Sequence, residues 1–91
     1  MKTLRAHVII SGRVQGVFYR ANTRGKAIKI RVNGWVKNLS NGNVEAIFEG
    51  EKNKVEEMIE WCKKGPIGAR VDDVSVTWKE PKGFKSFELR Y

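Results

Sequence analysis

The middle of the chain fixes the order of secondary structure, because residues 34–49 read GWVKNLSNGNVEAIFE. An Asn-Gly pair at 41–42 separates two apolar stretches, and both residue types tolerate the positive φ angles that a type I′ turn requires. The stretch therefore predicts a β-hairpin, with one strand over residues 35–39 and the other over residues 44–49.

A helix is predicted on each side of this hairpin. The first covers residues 20–31, where small and apolar residues fall at helical spacing and basic residues occupy the other sides. The second covers residues 52–64, which show the i, i+3, i+4, i+7 pattern of an amphipathic helix: Val55, Met58, Ile59 and Cys62. Gly65 and Pro66 are expected to end it.

Strands are predicted outside the two helices. Residues 4–10 and 74–78 alternate between apolar and polar side chains, and residues 87–91 form a short extra strand. The resulting order, β-α-β-β-α-β, is that of the ferredoxin-like split βαβ sandwich, an α+β fold. We expect an antiparallel sheet of four or five strands in the order 4-1-3-2, with two helices on one face. The length, 91 residues, predicts a single domain over residues 1–91.

The positive charge of the chain lies in its first half. The net charge is +8, and residues 1–45 hold nine Lys or Arg against one acid, Glu45. A one-sided positive field attracts phosphates, nucleic acids or anionic surfaces, although solvated surface charges explain such an excess equally well.

Several classes of protein are excluded by composition. No apolar run is long enough to span a membrane, and the first residues lead directly into a strand, so no targeting segment is predicted. Cys62 has no partner for an internal disulfide, and with His7 it is the whole supply of zinc-type Cys and His ligands. A cytoplasmic protein is expected. His7 is predicted to be a surface residue and Cys62 a core thiol, which leaves no Ser-His-Asp triad.

A candidate anion site follows the first strand. Residues 11–17 are predicted to form a loop, and residues 12–20 read GRVQGVFYR. Two glycines let consecutive N–H groups converge, and the first turn of a helix completes an anion pocket. Arg20 in that turn is unfavourable beside the helix dipole unless an anion compensates it. A plain strand-to-helix turn with a solvated arginine is the alternative.

Asn38 is predicted to meet this loop, because strands 1 and 2 run in the same direction and end at one edge of the sheet. Its carboxamide can both donate and accept, and so can orient a water molecule; an ordinary turn-flanking asparagine is the alternative. The pocket offers no general acid or base. That suits a carboxylate leaving group, which departs as an anion because its pKa is about 4.

Two motifs resemble the acylphosphatase family: GRVQGVFYR at 12–20 and GWVKNLSNGNVE at 34–45. GPIGARV at 65–71 and the closing FELRY add to the resemblance, which spans nearly the whole chain. This sequence departs from the family pattern at two positions. The family usually has Gly at the position of Arg31 and Asp at the position of Asn41. The resemblance implies a metal-independent and cofactor-free enzyme that hydrolyses small acyl phosphates and releases inorganic phosphate, and we expect a monomer without nucleic-acid or membrane partners.

The resemblance also implies the roles of individual residues. Arg20 binds the phosphate, Asn38 positions the water, and the loop amides of residues 14–20 cradle the phosphoryl oxygens. The implied binding residues are Val14, Gln15, Gly16, Val17, Phe18, Tyr19 and Arg20.

The sequence is also compatible with two other functions. An RNA-binding module on the same sandwich would stack bases on the open sheet face. However, Phe48 is predicted to face the core, and Glu45 and Glu49 would repel a phosphate backbone. A regulatory or accessory subunit is the second alternative, because acylphosphatase-like domains also occur fused to carbamoyl-transfer maturation enzymes.

Overall fold

The computed structural model describes residues 2–91 as one five-stranded sheet with two helices packed against it. The elements follow the predicted order: β1 (Thr3–Arg13), α1 (Tyr19–Ile30), β2 (Asn33–Asn38), β3 (Val44–Glu51), α2 (Lys52–Lys64), β4 (Arg70–Lys79) and β5 (Phe87–Arg90). The strands lie in the order β4-β1-β3-β2-β5. The expected 4-1-3-2 arrangement and the ferredoxin-like fold are therefore confirmed, with β5 added beside β2.

The sheet is mixed, so the prediction of an antiparallel sheet was wrong for its last strand. β5 pairs parallel to β2, with Phe87 opposite Gly34. The reason lies in the preceding strand: Lys79 at the end of β4 pairs with Arg5, near the start of β1. β2 starts at the same end of the sheet as β1. A short connection that begins β5 there makes it run in the direction of β2.

The buried face of the sheet and the two helices form the core. Val8 and Ile10 of β1 and Phe48 of β3 are fully buried and pack in one cluster with Val55 and Met58 of α2. Helix α2 has the predicted bounds, and its apolar stripe is the one that the spacing indicated. No helix within residues 2–91 is long and apolar enough to cross a membrane.

The strand β1 is longer than predicted and shortens the glycine loop. Residues 11–13 were expected in the loop, but they continue the pairing with β4 across a register shift between Ser11 and Gly12. Gly12 has φ +124°, and a Cβ atom there would lie 2.2 Å from the carbonyl oxygen of Arg70. The glycine is therefore needed for close strand packing, and the loop proper starts at Val14.

The β2–β3 hairpin is confirmed, but its turn is not type I′. Gly42 has a positive φ, of 95°, whereas Asn41 does not. The Gly42 N–H donates to the Leu39 carbonyl at 3.2 Å, and the Leu39 N–H donates to the Asn43 carbonyl at 2.8 Å. This is a three-residue loop with a type I turn and a left-handed glycine. The side chain of Asn41 stabilises it by accepting from the Asn43 N–H at 3.0 Å.

Helix α1 begins and ends at residues with left-handed backbones. Phe18 precedes it with φ 59°, and Arg31 follows it with φ 63°. The Arg31 N–H caps the helix by donating to the carbonyls of Ala27 and Ile28. Glycine is the usual residue in this position because it has no Cβ penalty, which explains the glycine of the family pattern at this position.

Candidate active site

A cavity of about 450 Å³ lies where β1 and β2 end and α1 begins. The loop after β1 forms one wall and the last residues of the chain form the other. The lining residues are Val14, Gly16, Phe18, Tyr19, Arg20, Ala21, Asn38, Leu89 and Tyr91. The predicted meeting of the glycine loop with Asn38 at one edge of the sheet is therefore confirmed.

The backbone of the loop is held in a curled conformation. Gly16 has φ +75°, and the next positive φ is that of Phe18. Val14 is buried and anchors the start of the loop in the core, while the side chain of Phe18 is 80% exposed. Positive φ angles at two such closely spaced residues are typical of an anion-binding nest, in which neighbouring N–H groups converge.

Gln15 ties the loop to the β2–β3 hairpin. Its side-chain Nε2 donates to the carbonyl oxygens of Leu39 and Asn43, both at 2.7 Å. These two bonds fix the distance between the loop and the strand that carries Asn38. The Gln15 side chain is thus occupied, so its only free contribution to an anion comes from the main chain.

Arg20 lies in the first turn of α1, where no acidic residue accompanies it. Its Nη1 atom donates to the carbonyl oxygen of Arg90 at 2.8 Å. Its guanidinium carbon lies 4.9 Å from the centroid of the Tyr91 ring. The end of the chain therefore orients this arginine at the edge of the cavity. A guanidinium held in this way keeps further N–H donors for the oxygens of a phosphoryl group.

Asn38, the last residue of β2, brings an unsatisfied polar atom to the cavity wall. Its carboxamide oxygen Oδ1 is buried and has no hydrogen-bond partner among residues 2–91. Buried polar atoms in folded proteins nearly always have a partner. Asn38 also lines the cavity, so this oxygen is the candidate acceptor for a water molecule at the site.

Tyr19 lines the cavity, but its side chain has a structural role and takes no part in the reaction. The phenol is buried and donates to the carbonyl oxygen of Cys62 at 2.7 Å, and burial raises its pKa. Burial also raises the pKa of the Cys62 thiol to about 12. Both groups stay protonated and neutral near neutral pH, so neither serves as a base or a nucleophile.

Five of the seven predicted binding residues line the cavity. Gln15 and Val17 lie outside its lining, because the first bonds the hairpin and the second packs against the core. Conversely, sequence reasoning missed Leu89 and Tyr91. The alternation in residues 87–91 indicated a strand, but alternation does not reveal the parallel pairing with β2 that brings this segment to the site.

The two carboxylates predicted on the open face of the sheet, Glu45 and Glu49, both have hydrogen-bond partners. Glu49 is only 5% exposed and accepts the N–H groups of Lys82, Gly83 and Phe84 at 2.5, 2.9 and 2.8 Å. Glu45 lies 2.6 Å from Nε2 of His7, which is half-buried. Within residues 2–91, no three His, Cys, Asp or Glu side chains form a group that could hold a metal ion.

Comparison with known proteins agrees with this arrangement. The sequence model of the acylphosphatase family matches residues 6–89. An acylphosphatase of Haloarcula marismortui is 53% identical over 91 residues, which is the whole of both chains. The structure of an acylphosphatase from Bacillus subtilis superposes with a TM-score of 0.94 at 37% identity, covering 97% of this chain and 99% of that one. For an acylphosphatase from Coxiella burnetii the TM-score is 0.93 at 39% identity, with 97% and 93% covered. On sequence, fold and the predicted motifs together, the chain belongs to the acylphosphatase family of hydrolases.

Proposed function

We propose that the chain hydrolyses the carboxyl–phosphate bond of small acyl phosphates in the cavity between the β1–α1 loop and Asn38. Water attacks phosphorus, the bond between phosphorus and the acyl oxygen breaks, and the electron pair leaves with the carboxylate. The products are a carboxylate, inorganic phosphate and the proton released from the water. Because the carboxylate leaves as a stable anion, the reaction needs no general acid.

The observation that carries this proposal is the buried, unpartnered Oδ1 of Asn38, a residue that lines the same cavity as Arg20. A water that donates to this oxygen has its lone pairs free and directed away from the carboxamide. A phosphoryl group held by Arg20 and the loop amides would lie in front of that water. Positioning and charge stabilisation are what phosphoryl transfer chiefly requires from a protein.

The roles within this proposal are those that the resemblance implies, and the contacts of Arg20 and Asn38 support them. Arg20 binds two phosphoryl oxygens through guanidinium N–H groups, and the main-chain N–H groups of residues 14–20 bind the rest. Asn38 orients the water. We propose that residues 1–91 act as one domain and as a monomer in the cytoplasm, without metal or organic cofactor.

The test is a hydrolysis assay with acetyl phosphate in the presence of EDTA, beside a phosphate monoester at equal concentration. Rapid release of phosphate from the acyl phosphate alone is expected. The leaving group of a phosphate monoester is an alkoxide, which is a much less stable anion than a carboxylate. Loss of activity in EDTA would contradict metal independence. Equal turnover of the monoester would contradict the choice of leaving group.

A further inference from the structure

The connection between β4 and β5 crosses the sheet from one edge to the other. β4 is the edge strand beside β1, and β5 is the edge strand beside β2. Residues 80–86 therefore pass β1, β3 and β2 in turn. These seven residues contain neither helix nor strand, so the course of the connection depends on the side chains that it meets.

Three side chains, one from each strand that is crossed, bind the main chain of this connection. Arg5 of β1 donates through Nε to the Glu80 carbonyl at 2.9 Å. Asn33 of β2 donates through Nδ2 to the Phe84 carbonyl, also at 2.9 Å. Glu49 of β3 lies between them, because it is paired with Arg5 on one side and with Asn33 on the other.

Glu49 makes the strongest of these contacts. Its buried carboxylate accepts three consecutive main-chain N–H groups at 2.5, 2.9 and 2.8 Å, those of Lys82, Gly83 and Phe84. Consecutive N–H groups that converge on one anion form a nest, and here the anion belongs to the protein itself. Hydrogen bonds to an ionised acceptor are about twice as strong as neutral ones. A glutamine at this position would turn donor hydrogens toward one of the N–H groups.

The strand that follows the connection is short. β5 has four residues and pairs with β2 alone. Ser86, just before it, accepts from the Gly34 N–H at 2.9 Å. Phe87, its first residue, is buried and stacks on Phe48. The start of β5 is therefore fixed by the core and by the held connection.

The other end of β5 holds Arg20. Within residues 2–91, Arg20 takes part in no ion pair. The polar contacts that orient it are the bond to the Arg90 carbonyl, at 2.8 Å, and the stacking on Tyr91. A strand advances about 3.3 Å per residue, so a slip of β5 by one residue would carry the Arg90 carbonyl out of reach of Arg20.

We propose that Glu49 is a positioning residue for the phosphate site and acts on it through the β4–β5 connection and β5. This inference rests on the proposed function. Glu49 is paired with Asn33 at the start of β2, and Asn38 ends that strand. The carboxylate is therefore about 17 Å from the cavity along the sheet. It fixes where β5 begins, and the end of β5 directs the guanidinium of Arg20.

The size of the effect follows from the two contacts that orient Arg20. Loss of the hydrogen bond to Arg90 corresponds to about three-fold in affinity, and loss of the exposed cation–π contact with Tyr91 to a further three-fold or so. Glu49→Gln should therefore weaken phosphate binding by about ten-fold. Removing a negative charge would by itself strengthen the binding of an anion, so weaker binding cannot come from the change of charge.

The experiment measures the dissociation constant of inorganic phosphate by calorimetry for the wild type, Glu49→Gln, Tyr91→Ala and the double variant. Distant substitutions normally act independently, to within about two-fold. If Glu49 acts through the end of β5, Glu49→Gln should raise the constant about ten-fold in the wild type and only about three-fold in Tyr91→Ala, where one contact is already lost. A merely structural role would lower the free energy of unfolding and leave this constant unchanged in the folded protein.

The matched control is Glu45→Gln, which makes the same change on the same strand. Glu45 bonds His7 and not the connection, so this variant should keep the dissociation constant within about two-fold of the wild type. An unchanged constant in Glu49→Gln, the same fold-change with and without Tyr91→Ala, or an equal rise in Glu45→Gln would overturn the proposal.

Asn33→Ala replaces Glu49→Gln if the latter does not fold, because it removes one bond from the same connection. It should raise the dissociation constant about three-fold in the wild type and leave it unchanged in Tyr91→Ala. An unchanged constant in the wild type, or an equal rise in both, would overturn the proposal. Hydrolysis of acetyl phosphate by the wild type is measured in parallel. Its absence would overturn the proposed function, whereas hydrolysis with independent effects at the two sites would overturn only the role of Glu49.

Discussion

The guanidinium of Arg20 stacks on the ring of Tyr91, with 4.9 Å between its central carbon and the ring centroid. Arg20 lies in the first helix and Tyr91 follows the last strand, and the parallel pairing of β5 with β2 brings them together. The same arginine donates to the main chain of Arg90. The last two residues of the chain therefore hold the group that we propose to bind phosphate.

Replacing Tyr91 should weaken this support. Tyr91 is almost fully exposed, so Tyr91→Ala should leave the free energy of unfolding nearly unchanged. An exposed cation–π contact contributes about 0.5–1 kcal/mol, and kcat/KM for acetyl phosphate should fall by about two- to five-fold. Tyr91→Phe keeps the ring and should retain wild-type kcat/KM. If Tyr91→Ala also retains it, the stacking does not orient Arg20.

The bonds from Gln15 to the hairpin give a second prediction. Gln15→Ala removes two hydrogen bonds to main-chain carbonyls that keep their partners within the hairpin, and two such bonds together contribute about 1–3 kcal/mol of stability. Chemical denaturation should show this loss, and kcat should fall because the loop is no longer fixed relative to Asn38.

The control for Gln15→Ala is Asn43→Ala. Gln15 bonds the main-chain carbonyl of Asn43 and not its side chain, so this variant keeps the bond. That variant should keep both stability and kcat close to the wild type. A Gln15→Ala protein that is as stable as Asn43→Ala would show that the loop does not depend on these two bonds.

Replacing Arg31 by glycine should stabilise the protein. Its left-handed backbone, with φ 63°, costs an L-residue about 1 kcal/mol or more relative to glycine. Arg31→Gly should therefore raise the free energy of unfolding by up to about 1 kcal/mol, the remainder being offset by the greater freedom of glycine in the unfolded chain.

The same substitution inside the helix should have the opposite sign. Arg24 has a helical backbone and an exposed side chain, so Arg24→Gly should destabilise the protein by about 1 kcal/mol. Thermal unfolding of the two variants compares the effects directly. A lower stability for Arg31→Gly would mean that contacts of the Arg31 side chain outweigh the backbone cost.

Much of this fold could be predicted because local patterns and topology agree. The apolar stripe of α2 and the glycine turn of the hairpin depend on neighbouring residues alone. Both can be recognised in a single sequence. Asn38 was predicted at the site because strands β1 and β2 must end at the same edge once the order of elements is known.

What escaped prediction depends on long-range pairing. The direction of β5 is determined by where β4 ends, at Lys79 opposite Arg5, and no alternation of apolar residues encodes it. The roles of Leu89 and Tyr91 in the cavity wall follow from that direction. The continuation of β1 through Gly12 likewise depends on β4, since a glycine-rich segment reads as a loop until its strand partner is known.

The central claim is that Asn38 aims the attacking water while Arg20 holds the phosphoryl group. The most direct measurement compares kcat for acetyl phosphate with the inhibition constant of inorganic phosphate in Asn38→Ala and Arg20→Ala. Asn38→Ala should lower kcat by about 100-fold or more and leave the inhibition constant within about two-fold of the wild type, because water orientation acts in the transition state. Arg20→Ala should abolish both turnover and inhibition. An Asn38→Ala enzyme with wild-type kcat, or an Arg20→Ala enzyme that is still inhibited by phosphate at the wild-type concentration, would contradict the account.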